Sequence, residues 1–309
     1  MVIINSQTAQ LANRLWHFSG FIANSIEHKY KLVNIGFFRY RPFFEATKNN
    51  YFNGYPISIT RTHIPYLDYF YSNLFKNWAS FTYRKFGKTP TWYKFYQTTF
   101  TTDEKEIIFD LNNPEFVQDA QTRKVIVEGW LLRDSVNIQK HASIIREFFR
   151  PVEPYRSKVQ QTINEAKQLA DVVVGVHIRR GDYASFLGGI WFYTDDVYAD
   201  KMRQIEMYYA KMEKTCAFLI CSNEVINRNN FKGLTILSEQ RHFIVDLYSL
   251  AACDVIIGPP STFSQWAAFY GEKILRMILD KNDTINVLEY DAHYIAKENF
   301  PIRNLYLFA

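Results

Sequence analysis

Short β-branched runs alternate with helically spaced apolar positions through the second half of this chain. Asp171-Val172-Val173-Val174-Gly175-Val176-His177-Ile178 has the continuous apolar pattern of a strand buried on both faces. Cys216-Ala217-Phe218-Leu219-Ile220-Cys221 has the same character, and shorter runs follow at 235–237, 254–257 and 273–277. Between these runs the apolar spacing predicts helices over about 155–169, 194–214, 242–252 and 261–270. Thr194 is the expected N-cap of the second, with Asp195 and Asp196 in its first turn, where they complement the helix dipole. Strands and helices alternating at these lengths predict a parallel sheet with right-handed crossovers, and in such sheets ligands bind beyond the carboxyl ends of the strands.

The first half is less regular. Its pattern predicts an amphipathic helix over 7–30 and strands over 32–35, 106–109 and 124–130, while residues 36–100 are rich in aromatics without a clean period. No internal repeat or low-complexity tract is visible, which excludes solenoid and linker architectures. Pro151 and Pro154 punctuate the middle, and the expected domains are 1–155 and 156–309.

Composition narrows the class. With 48% hydrophobic and 22% charged residues in 309, there is ample apolar surface to offset the entropy of ordering, so a disordered chain is excluded. No apolar run approaches the roughly 18 residues that span a bilayer. The start, Met1-Val2-Ile3-Ile4-Asn5-Ser6, lacks a basic region, an apolar stretch and a cleavage site. Cys216, Cys221 and Cys253 all sit in apolar contexts and are expected to be buried thiols. Both observations imply a reducing, cytoplasmic setting. No spacing suggests a metal-ligand pair, and no Walker loop or Gly-x-Gly-x-x-Gly occurs. Charge divides the chain: residues 1–150 carry 19 basic and 12 acidic side chains, residues 151–309 carry 17 and 19.

The residues that carry chemistry stand at the end of the 171–178 strand, in His177-Ile178-Arg179-Arg180-Gly181-Asp182-Tyr183. Two arginines at the carboxyl edge of a buried strand are costly without anionic partners, and the planar guanidinium suits phosphate oxygens. Strand alternation places His177 and Arg179 on one face and Arg180 and Asp182 on the other. Arg179 is therefore expected to meet an anionic ligand, and Arg180 to pair with Asp182 and brace the turn that Gly181 permits.

This motif resembles the first motif of the α1,2-fucosyltransferase family, which is related to the α1,6- and protein O-fucosyltransferases. Three further stretches match in order. Gln10-Leu11-Ala12-Asn13-Arg14-Leu15-Trp16-His17-Phe18 is similar to the family's opening, with Gln10 and Ala12 in place of its glycines. Leu219-Ile220-Cys221-Ser222-Asn223-Glu224 resembles its strand ending in Ser-Asp-Asp. The segment from Asp246 to Asp254 leads into Ser261-Thr262-Phe263-Ser264-Gln265-Trp266-Ala267-Ala268, close to the family's last motif.

The resemblance implies an α/β enzyme of GT-B type, two Rossmann-like domains facing across a cleft. The N-terminal one would take the acceptor and the C-terminal one the donor, GDP-fucose, with no metal. It implies an inverting hexosyltransferase forming an α1,2 linkage on a glycan hydroxyl. Inverting transfer builds charge on the departing diphosphate, which asks for fixed positive charge and N–H or O–H donors. Arg179 would supply the charge, with Arg180 beside it. Ser261, Thr262, Phe263 and Ser264 would add donors at a helix N-terminus, an anion-binding position. By resemblance His177 and Asp246 would contact guanine or ribose, Ser222 the nucleoside, and Asn13 the donor from the facing domain. Asp246 has a second reading as an acid stabilising its own helix start. Asp182 is the acid nearest the motif, either a proton acceptor in catalysis or an arginine brace.

Two other classes of function compete. The altered opening and the Ser-Asn-Glu stretch fit a non-catalytic GDP-sugar or glycan-binding module. The stretch 66–96 holds thirteen aromatics, five cations and one acid, Asp68, a composition also found where proteins hold single-stranded nucleic acid. A net charge of only +5 argues against nucleic acid. Most of these rings are expected to be packed under loops; the remainder suit stacking on sugars or peripheral contact with an anionic membrane. The acceptor implied is a glycan, including a lipid-linked one.

Overall fold

The computed structural model describes residues 1–6, 10–60, 64–86, 93–97, 109–129 and 131–285. The chain divides into two compact units, Met1–Val152 and Glu153–Ala309.

In unit 1 the strands are β1 (Val2–Ile4), β2 (Leu32–Asn34), β3 (Ile57–Ser58), β4 (Tyr93–Gln97), β5 (Phe109–Asp110), β6 (Lys124–Glu128) and β7 (Leu132–Arg133). The helices are α1 (Leu11–His28), α2 (Glu45–Asn49), α3 (Pro65–Phe86), α4 (Pro114–Thr122), α5 (Ser135–Lys140) and α6 (Ala142–Phe148). Five parallel strands run in the order β3-β2-β1-β6-β4, with Ile3 opposite Val33 and Ile126. β5 and β7 pair separately. The apolar stripe of α1 (Leu11, Leu15, Phe18, Phe21 and Ile22) is buried, and the helix ends at Lys29, whose left-handed conformation closes the last turn onto Ser25. Phe18 meets Phe148 and Phe149 edge to face at 5.3 and 5.8 Å between ring centres, and Phe44 meets Phe149 at 5.5 Å. Interlocked rings thus occupy the place aliphatic side chains usually fill. The long helix α3 and the strands β3 and β4 lie where the sequence pattern has no period.

Unit 2 contains α7 (Glu153–Lys167), β8 (Val172–Ile178), α8 (Asp195–Ala210), β9 (Cys216–Ser222), β10 (Ile236–Leu237), α9 (Phe243–Ala252), β11 (Val255–Gly258), α10 (Thr262–Gly271) and β12 (Ile274–Met277). Its sheet is parallel throughout, in the order β10-β9-β8-β11-β12. This is the Rossmann-like alternation expected, and the order reverses between β8 and β11. Every residue of β8 is buried. Val174, Val176 and Ile178 pack with Tyr198, Met202 and Ile205 of α8, and Gly175, on the opposite face, lies against Leu250 and Cys253. α10 approaches α9 so closely that a Cβ on Gly271 would stand 1.8 Å from the Ala251 carbonyl oxygen. Cys216, Cys221 and Cys253 are buried and free, as expected.

Candidate functional site

The carboxyl ends of β8, β9 and β11 gather most of the residues singled out above. His177 is the penultimate residue of β8 and is buried, with its ring centre 5.1 Å from that of Phe263 and its Nδ1 without a partner among the described residues. Burial, and then the Arg179 guanidinium, push its pKa down to about 3, so the imidazole is neutral at any ordinary pH. Gly258, the last residue of β11, touches His177: a Cβ there would stand 2.8 Å from the His177 carbonyl oxygen. That contact sets the start of α10 close beside the end of β8.

The two arginines part company. The Arg179 guanidinium donates from Nη2 to Asp182 Oδ1 at 2.6 Å and lies 5.2 Å from the centre of the Tyr183 ring. Tyr183 is itself fixed by donating from its hydroxyl to the Pro260 carbonyl oxygen at 2.6 Å. Arg179 is 17% exposed and Asp182 63%, so this pair sits at the surface of the site. The Arg180 guanidinium turns the other way, into the protein. It donates to the Tyr193 carbonyl oxygen and to Asp195, and the Phe192 and Tyr198 ring centres lie 5.4 and 5.7 Å from it. The expected pairing of Arg180 with Asp182 is therefore corrected: Asp182 braces Arg179, and Asp195 holds Arg180. The reason is local. β8 ends at Ile178, alternation stops with it, and Gly181 at φ +66° reverses the chain. Asp195 stands in the first turn of α8, as expected, and also accepts from Asn230 Nδ2 at 2.7 Å.

Asn223, whose role the sequence pattern does not show, accepts a hydrogen bond from the Arg180 backbone N–H at 2.9 Å. It follows β9 directly, and β9 is the neighbour of β8, which is the signal that could have found it. Ser222, at the end of β9, accepts from the Glu224 N–H at 3.2 Å. Asp246, in the first turn of α9, is buried beside Cys221, with Arg241 Nη1 3.6 Å from its Oδ1. Burial pushes its pKa up to about 6, against the pull of Arg241.

Ser261 caps α10, its Oγ accepting from the Phe263 N–H at 3.3 Å. The Ser264 hydroxyl is fully buried and donates to the Ser261 carbonyl oxygen at 3.1 Å, so it stiffens the turn. Thr262 is buried in the same turn. Asn13 lies in unit 1, half-buried in the first turn of α1. Among the described residues no group of three His, Cys, Asp or Glu side chains is placed to hold a metal ion.

A fixed guanidinium, a neutral imidazole and a helix N-terminus thus converge where the sheet order reverses, the arrangement that receives the phosphates of a nucleotide. Each of the two units is an α/β fold built on a parallel sheet, the architecture of the GT-B type. Residues 143–299 match the model of glycosyl transferase family 11, and the chain belongs to that family. The match covers every site residue named above except Asn13. In fold the chain is similar to a mutant of Arabidopsis thaliana FUT1 in complex with GDP, at a TM-score of 0.59 and 13% identity over 90% of this chain and 70% of that one. It is also similar to the fucosyltransferase NodZ from Bradyrhizobium, at a TM-score of 0.51 and 15% identity over 86% of this chain and 92% of that one. No curated protein matches it.

Proposed function

We propose that this glycosyltransferase moves fucose from GDP-fucose to a hydroxyl of a glycan acceptor, with inversion, to form an α1,2 linkage, and without a metal ion. The observation that carries the donor reading is Arg179, anchored by Asp182 and Tyr183 at the end of β8 beside the N-terminus of α10. The family and the sequence motifs support fucose as the sugar, and the similar folds include a structure holding GDP and an α-1,6-fucosyltransferase soaked with GDP-fucose. In this reading the bond between the fucosyl carbon and the β-phosphate oxygen breaks as the acceptor oxygen bonds to that carbon. GDP leaves with the electron pair and the acceptor proton passes to solvent. Arg179 and the N–H groups of α10 meet the growing phosphate charge. Asp246 accepts from the N–H groups of guanine, while His177 and Ser222 line the nucleoside. Asp182 holds Arg179 and so acts as a positioning residue.

Transfer from GDP-fucose to a panel of glycans tests this reading, with Arg179→Ala and Arg179→Lys alongside the parent. Alanine is expected to lower kcat by about 10²–10³, the range for removing a donor to developing negative charge. Lysine, which keeps charge but loses the fork, is expected to recover part of that. Undiminished transfer by Arg179→Ala sinks the assignment. Tight GDP binding with no turnover on any acceptor makes the protein a binding module instead.

A further inference from the structure

The outward face of α3 is aromatic. Tyr66, Phe70, Leu74, Trp78 and Phe81 follow one another at three- and four-residue steps, with Tyr71 beside them, and each is between 46% and 73% exposed. Lys85 continues the stripe, its Nζ 5.8 Å from the centre of the Phe81 ring. The helix is not free to roll this face inward. Asp68 is buried and bonded to the Thr60 hydroxyl, and Asn73 Oδ1 accepts from Asn5 Nδ2 at 3.2 Å. Rings at this density on one outward stripe mark an interaction surface. Of the thirteen aromatics in 66–96, these five rings are among those that are not packed.

Charge decides what the surface takes. From residue 69 to the end of α3 the sequence carries Lys76, Arg84 and Lys85 and no acid. A second copy docked on this face would bring a second set of the same cations and no acid from this stretch to neutralise them. A partner that is apolar inside and anionic at its surface satisfies both rings and cations. No described helix is long and apolar enough to cross a membrane, whereas a helix with aromatic residues on one face and Lys and Arg beside them lies in the headgroup plane, where Tyr and Trp rings are at home.

We propose that α3 docks this protein on the surface of an anionic lipid bilayer, with Phe70, Leu74, Trp78 and Phe81 entering the headgroup region and Lys85 contacting lipid phosphate. The docking is independent of the donor chemistry of unit 2. Flotation of the whole protein with vesicles of phosphatidylcholine alone, or phosphatidylcholine with phosphatidylglycerol, tests it at low and high salt. Binding is expected only with phosphatidylglycerol and is expected to weaken with salt. Phe70→Ser with Phe81→Ser is expected to cut the bound fraction about tenfold, and Lys85→Glu several-fold. An unchanged far-ultraviolet circular dichroism spectrum and melting temperature show that the variants are folded. Absence of flotation at low salt overturns the proposal, as does flotation that the serine variant leaves intact. A dimer in sedimentation that the serine variant abolishes, without lipid binding, overturns it in favour of a self-association face.

Discussion

Exchanging the partners of the two adjacent arginines separates their jobs. In Asp195→Asn the carboxylate that receives Arg180 loses its charge while its size is kept. Arg180 and Asp195 are only 11% and 17% exposed, so the guanidinium is left uncompensated in a site walled by Phe192 and Tyr198, with the Tyr193 carbonyl oxygen and a neutral amide oxygen as acceptors. Breaking a fully buried pair costs about 3–5 kcal/mol. The surviving acceptor, and an amide oxygen that still accepts, reduce that to about 2–3 kcal/mol. At about 2–4 °C per kcal/mol for a domain of this size, the melting temperature should fall by about 5–10 °C. Asp182→Asn alters a pair whose acid is 63% exposed, and exposed pairs are worth about 0–1 kcal/mol. Its melting temperature should move by no more than about 4 °C, while its transfer rate should drop because a neutral amide holds Arg179 more weakly than the carboxylate. Thermal denaturation and initial-rate kinetics on the two variants, side by side, provide the check. Loss of stability in Asp182→Asn that equals or exceeds the loss in Asp195→Asn refutes the division of labour, and so does full activity in Asp182→Asn.

Three further outcomes are expected. Asn223→Ala removes the acceptor for the Arg180 N–H and should cost about 1 kcal/mol of stability; it should also lower kcat with little change in GDP affinity, read by kinetics and calorimetry. Asp246 has a pKa in the fold raised to about 6, so the folded protein holds that proton more tightly than the unfolded chain. Stability without ligand should therefore fall as pH rises from about 4 to about 6 and level off above. GDP binding that uses the carboxylate should weaken as pH drops through about 6, whereas Asp246→Asn should show only the ionisation of the phosphate itself; calorimetric titration from pH 5 to 8 distinguishes them. A Cβ in Gly258→Ala meets the His177 backbone at 2.8 Å, so β8 and β11 must separate, and a loss of about 1–3 kcal/mol in chemical denaturation should accompany reduced transfer.

Unit 2 was legible because strands buried on both faces must be written as unbroken apolar runs, and β8, β9 and β11 are. The positions of His177, Arg179 and Ser261 at strand ends and a helix start followed from those runs. The partner of Arg180 did not, because side-chain alternation holds only inside a strand and β8 stops two residues earlier. In unit 1 the two-residue strands β3, β5 and β7 are too short to leave a period. α3 was hidden for a different reason: its rings Tyr66, Phe70 and Trp78 face outward while Asp68 is buried, the reverse of the pattern by which an amphipathic helix shows its repeat. The expected strand over 106–109 lies partly outside the described residues, which take up the chain again at Phe109.

The same packing that makes unit 2 readable makes its site stiff. Because β8 is buried from Val172 to Ile178 between α8 on one face and α9 on the other, the residues that leave it start from a fixed point. Three ties then orient the turn: the Arg180 N–H to Asn223, the Tyr183 hydroxyl to Pro260, and the Arg180 guanidinium to Asp195. Each reaches a different element: the end of β9, the loop before α10 and the start of α8. Arg179 hangs on this frame, its guanidinium steadied by Asp182 and Tyr183. Electrostatic stabilisation of a transition state depends on charges that need no reorganisation when the reaction occurs. In the proposed reading, the cost of aligning Arg179 with the N-terminus of α10 is met during folding, through the packing and hydrogen bonds of the side chains around it. A substitution such as Gly271→Ala, which forces α10 away from Ala251 without altering a residue of β8 or the turn, should then reduce transfer. It should do so through kcat, with the Arg179 to Asp182 pair intact, whereas an Arg179 held in place by substrate alone would leave kcat unchanged.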